Sequence, residues 1–160
     1  MTSLFFFVHL AVLATLWESV NFSLRLSTIA LKNSQLKNPL FIPNLIYRNL
    51  LLVLLFFYGI SSILLPDNVS GFLAVGIGCL FIANLKEFHH LELLRFPYLS
   101  IYYLIQLLAG VGYLYLGICQ ISQQSVAVAQ WVILGYLIGL VGLFLFWRID
   151  TKRVKFSLTK

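Results

Sequence analysis

Charge is what this chain has least of: eleven Lys and Arg and five Asp and Glu among 160 residues, or 10%, while hydrophobic residues reach 61%. Soluble domains carry about 25% charged residues. What remains here cannot build a water-facing surface, and the mean hydropathy of +0.95 agrees. Cysteine is nearly absent. Cys79 and Cys119 lie at different expected membrane depths, which excludes a disulfide between them and leaves both as small core residues. Proline is sparse too, and Pro39, Pro66 and Pro97 fall between apolar runs rather than within them. No Gly-rich phosphate loop, Cys-x-x-Cys or His-Glu-x-x-His occurs, which removes the usual phosphate, redox and zinc signatures. Positive charge is also missing ahead of the first apolar stretch, where a secretory leader would carry it. The first cation is Arg25, after that stretch, so the segment reads as a retained anchor.

What is present is a series of long apolar runs. They predict an all-α integral membrane protein, a bundle of five transmembrane helices over about 4–24, 45–65, 70–88, 98–121 and 126–147. Each run has roughly 19 to 24 residues, near the ~20 that cross the hydrocarbon core as a helix. Pro66-Asp67-Asn68-Val69 reads as the turn between the second and third spans, and Pro97 suits the first turn of the fourth. Trp131 and Trp147 bracket the fifth as interfacial anchors. Residues 1–160 form one transmembrane domain, with 148–160 as a basic cytosolic tail. Helical spans point to a plasma or inner membrane rather than an outer membrane.

The cations give the orientation. With five crossings, the N-terminus outside and the C-terminus cytosolic, all of Arg25, Lys32, Lys37, Arg48, Lys86, Arg95, Arg148, Lys152, Arg153, Lys155 and Lys160 lie on one side. Four or six crossings would strand several of them on the wrong face. Past the first span, Glu18, Asn21, Arg25, Thr28, Lys32 and Gln35 recur every three or four residues opposite Phe22, Leu26 and Ile29. That pattern predicts an amphipathic extension of the first helix along the membrane surface. The non-cytosolic connections are too short to hold a domain or a large ligand, which places function in the membrane or on the cytosolic face. For the same reason Asn68-Val69-Ser70, an acceptor pattern for glycosylation, is expected to stay unmodified. Net charge of +6 does not imply nucleic acid, because the cations cap apolar runs and no basic-aromatic face exists.

Polar groups inside or beside spans are the candidates for chemistry, since charge in lipid is costly. Glu18, Arg48, Asn84, Glu87 and His90 fall near the cytosolic ends of the first three spans and form a candidate interfacial cluster. Glu87 and His90, three apart, present half of a di-iron carboxylate pattern. The other half is missing, so no metal site is expected, and the sequence names neither a catalytic residue nor a cofactor. The simpler role for the cluster is interfacial ion pairing with snorkelling side chains. His9, without an acidic partner at its depth, reads as a hydrogen-bonded packing residue. Gln106 offers an interhelical hydrogen bond.

Glycines supply the remaining signal. Gly110, Gly112 and Gly117 in the fourth span and Gly135, Gly139 and Gly142 in the fifth form a candidate helix-packing face, with tyrosines around the former. The partners implied are membrane lipid and a protein subunit or second copy docked through the fourth and fifth spans. The leading expectation is a non-catalytic accessory, assembly or regulatory subunit of a larger membrane complex. The alternatives are an enzyme acting on a lipid or isoprenoid headgroup at the cytosolic interface, and a small oligomeric transporter or channel coupled through Glu18.

The orientation carries a direct test. Reporters fused after Lys160 and inserted within residues 33–38 will light up in the same compartment; opposite compartments would overturn the five-span threading.

Overall fold

In the computed structural model the described residues are 8–12, 14, 45–88, 94 and 97–157, and almost all of these are helical with no strand among them. Four helices follow one another: α1 (Leu45–Leu64), α2 (Asp67–Asn84), α3 (Pro97–Ile121) and α4 (Ala127–Ser157), with a 3-10 turn at Leu85–Phe88 after α2. Each is long and apolar enough to cross a membrane. Residues 8–12 and 14 are also helical and fall within the first expected span. The rest of that span and its amphipathic extension lie outside the described residues.

An inside-out surface fits lipid as the solvent. Ile46, Phe72, Trp131 and Ile138 are 77%, 66%, 71% and 65% exposed, on helical stretches with almost no charge. In water such a continuous apolar exterior would drive association. In lipid it is neutral, and the helix satisfies its own backbone, as a bilayer requires.

Three helix limits differ from those the sequence suggests. Asp67 to Val69 belong to the first turn of α2 rather than to a loop. Pro66 is extended at φ −59°, ψ 150°, and its carbonyl accepts from the N–H groups of Val69 (3.0 Å) and Ser70 (3.3 Å). The Ser70 hydroxyl donates to the Asp67 carbonyl at 2.9 Å, and the Asp67 carboxylate sits where the helix dipole favours an anion. The α-helical part of α2 stops at Asn84, and the next residues tighten into the 3-10 turn. At the other end of the chain, α4 runs past Trp147 to Ser157, because nothing from Arg148 onward breaks a helix and cations suit its C-terminal turns. At 1.5 Å per residue its 31 residues span about 46 Å, longer than the ~30 Å hydrocarbon core.

α2 packs between α1 and α3, and α4 packs on α3. The α2–α3 contact is set by two pairs of glycines, each pair seven residues apart. A Cβ on Gly78 would stand 2.8 Å from the Gly110 carbonyl oxygen and 2.7 Å from the Leu114 nitrogen. A Cβ on Gly117 would stand 2.6 Å from the Gly71 carbonyl oxygen and 2.7 Å from the Val75 nitrogen. The antiparallel backbones thus touch at two heights, as only residues without side chains allow. Gly112 faces the other way and admits Val132 and Ile133 of α4.

Aromatic side chains fill the centre. Phe81 of α2 stacks on Tyr113 of α3 (5.8 Å, 16°) and meets Tyr136 of α4 edge-on (5.8 Å, 69°). Tyr58 of α1 turns its edge to Tyr113 at 6.2 Å. All four are at most 1% exposed. Such pairs each add about 0.5–1.5 kcal/mol beyond burial, and this cluster joins side chains from all four helices.

Substitution at the crossings will separate the two kinds of glycine. Gly78→Ile or Gly117→Ile pushes α2 from α3 and will cost at least the ~1–3 kcal/mol of core overpacking. Gly142→Ala, with nothing within 4 Å of its Cβ, will change stability by under about 1 kcal/mol and in the favourable direction. Thermal unfolding of the detergent-solubilised chain followed by circular dichroism checks both.

Candidate functional site

The polar groups expected to cluster at one interface are only partly described. Arg48 on the first turn of α1 is buried, and Asn84 at the last turn of α2 is half-buried. The antiparallel pairing of α1 and α2 puts both at the same end of the bundle, with exposed Lys86. The Asn84 Oδ1 is buried with no hydrogen-bond partner among the described residues. The backbone of Glu87 lies in the 3-10 turn, while its side chain, Glu18 and His90 lie outside the described residues.

The packing glycines are fully placed. Gly110 and Gly117 lie against α2 and Gly112 against α4, all within this chain. A Cβ on Gly139 would stand 3.4 Å from Ile105 of α3, and one on Gly135 would meet only Leu108, at 3.9 Å. Gly142 faces open space. Gly71 and Gly78, which complete the α2–α3 crossing, were not singled out from the sequence, although they repeat the seven-residue spacing of Gly110 and Gly117.

His9 is buried, and its Nδ1 shares a 2.9 Å hydrogen bond with the Tyr113 hydroxyl. Its ring meets the edge of Tyr58 at 4.7 Å. The residue therefore packs and hydrogen-bonds, as its apolar setting suggested. Gln106 is buried in α3, and its Nε2 has no partner among the described residues. Cys79 and Cys119 are both free thiols. Ser61 and Ser62 donate to the carbonyls of Tyr58 (3.0 Å) and Gly59 (2.9 Å), a local bonding that ties up both hydroxyls within α1.

The most developed polar feature lies at the opposite end from Arg48. A cavity of about 620 Å³ opens between the ends of all four helices. α1 supplies Tyr58 and Ser62, and the start of α2 supplies Asp67 and Asn68. The end of α3 contributes Cys119 and Gln120, and the cap that follows gives Gln123 and Gln124. Val126 and Gln130 close the α4 side. The Gln120 Nε2 donates to the Tyr58 hydroxyl at 3.1 Å, so the floor of the cavity adjoins the buried aromatic cluster. Short connections did not suggest this space, because helix ends rather than loops enclose it.

Its wall contains the one strained backbone among the described non-glycine residues. After α3, the N–H of Gln124 reaches the Cys119 carbonyl (2.8 Å) and that of Gln123 the Gln120 carbonyl (3.3 Å). This is a Schellman cap, and Gln123 occupies its left-handed position at φ 54°. Glycine is the residue that takes this conformation without penalty, and a side chain there costs on the order of 1–2 kcal/mol. Gln123→Gly will therefore stabilise the chain, by on the order of 1 kcal/mol; an unchanged or lower thermal midpoint would refute the strain. The chain matches no family model, no curated protein and no solved structure, so its function must be argued from this geometry.

Proposed function

We propose that the protein is a non-catalytic accessory or assembly subunit, threaded five times with its basic end in the cytosol, that docks into a larger membrane complex through α4. One observation carries this reading: the exposed face of α4 is a heptad seam. Val128, Trp131, Gly135, Ile138, Gly142 and Leu145 follow one another at intervals of three and four, and all are exposed. From Trp131 onward large and small residues alternate along it as knobs and holes do. Lipid-facing surface has no need of glycine, and each one in a helix interior costs about 1 kcal/mol relative to alanine. The two notches at Gly135 and Gly142 suit the close approach of another helix.

The placement of α4 supports the same reading. Its backbone packs on α3, and it reaches α2 through the Tyr136–Phe81 ring contact. The glycines of α3 are engaged within the chain, which leaves the α4 seam as the uncovered part of the expected packing face. Exposed Arg148 on α4 and Lys86 after α2, together with the early position of Arg48 in α1, put the described cations at one end, which supports the proposed threading.

Filling both notches tests the proposal, since both positions are exposed, a Cβ on Gly142 would have no neighbour within 4 Å and one on Gly135 would meet only the tip of Leu108. After mild solubilisation, the native chain will migrate in an assembly larger than its own 18.2 kDa, and Gly135→Leu with Gly142→Leu will release it as a monomer. A native chain that migrates alone, or a double variant still held in the assembly, would defeat the proposal. Association only with itself would show a homo-oligomer in place of a subunit.

A further inference from the structure

The cavity at the Pro66 end invites a chemical question that docking through α4 does not answer. We propose that it binds a neutral polyhydroxyl group of the sugar type. Its walls are rich in groups that both donate and accept: the amides of Asn68, Gln120, Gln123, Gln124 and Gln130. Among the described residues the amides of Asn68, Gln123, Gln124 and Gln130 make no hydrogen bond to the protein, so their capacity is uncommitted. A planar amide offers an N–H donor beside a C=O acceptor, which complements adjacent hydroxyls on a sugar ring.

The lining also argues against other ligands. Among the described residues it holds no Lys or Arg, and the one ionised group it includes is the Asp67 carboxylate, so a phosphate would be repelled rather than held. A cation would find a single exposed carboxylate in water, worth little. Tyr58 is the one aromatic lining residue among those described, and its hydroxyl is engaged with Gln120, so the described lining forms no aromatic cage for an ammonium group. Asp67 can instead accept from hydroxyls alongside the amides. The volume falls inside the ~300–1,000 Å³ of small-molecule sites.

Gln123 is the independent sign that the space is used. Its strained backbone places an amide on the wall where glycine would be more stable, and strain of this kind concentrates where a ligand is held. Beside the mouth, Leu64, Leu65 and Val128 are exposed. A sugar could therefore arrive either free in solution or as the headgroup of a glycolipid whose chains lie against that rim.

The experiment uses the full chain in phosphatidylcholine nanodiscs, which leave both membrane faces open, prepared without sugar-based detergent. One arm adds free maltose, a second incorporates a diglycosyl diacylglycerol, and a third incorporates phosphatidylglycerol. The readout is the ligand-dependent rise in thermal midpoint, which reports binding to the folded state. A saturable rise is expected from at least one sugar source and none from the anionic lipid; whichever sugar arm responds identifies the source. Gln123→Gly is expected to raise the midpoint without ligand yet weaken apparent affinity about two- to tenfold, the effect of one lost neutral hydrogen bond. Gln130→Ala should weaken affinity similarly while leaving helix content unchanged. No saturable rise from either sugar, an equal rise from phosphatidylglycerol, or unaltered affinity in both variants would overturn the proposal.

Discussion

The backbones of α2 and α3 touch at two points, Gly71 with Gly117 and Gly78 with Gly110, and the rest of the bundle is organised around that contact. In lipid, apolar side chains gain little by leaving the solvent for one another, so association depends on how closely helices fit. Two glycine crossings seven residues apart fix both the distance and the register of the pair. With the register set, Phe81 lies over Tyr113, and Tyr58 and Tyr136 close on the same centre from α1 and α4. The cavity follows from the same registration, because its walls are the helix ends that the central pair brings level.

Much of the architecture was legible because long apolar runs leave few choices. The apolar cores of the second to fifth spans are helices, and Pro97 opens α3 as its missing N–H allows. The limits of α2 and α4 were less legible for local reasons. Pro66 and Asp67 look like turn residues in isolation, but together they make an efficient helix start. The basic stretch after Trp147 reads as a tail until one notices that it contains no breaker.

The cavity was harder to see. Glu18, Arg48, Asn84, Glu87 and His90 stand out in the sequence, because polar groups near lipid are conspicuous. Glutamines 120, 123, 124 and 130 carry no charge and straddle a connection too short to look functional. Their convergence depends on a left-handed residue at the end of α3 that turns the chain back over its own helix end. No propensity scale would place glutamine there. The pairing of Gly71 with Gly117 was likewise invisible to a reading of one span at a time, although the equal spacings 71 to 78 and 110 to 117 were a usable clue.

Most close helix contacts join neighbours in the chain, but the hydrogen bond between His9 and Tyr113 bridges 104 positions. At ribosomal speeds of ~5–20 residues per second, about 5–20 s pass between synthesis of the imidazole and synthesis of its phenol. During biogenesis the imidazole must therefore do without this partner, its ring nitrogen served by other groups, until α3 arrives to receive it.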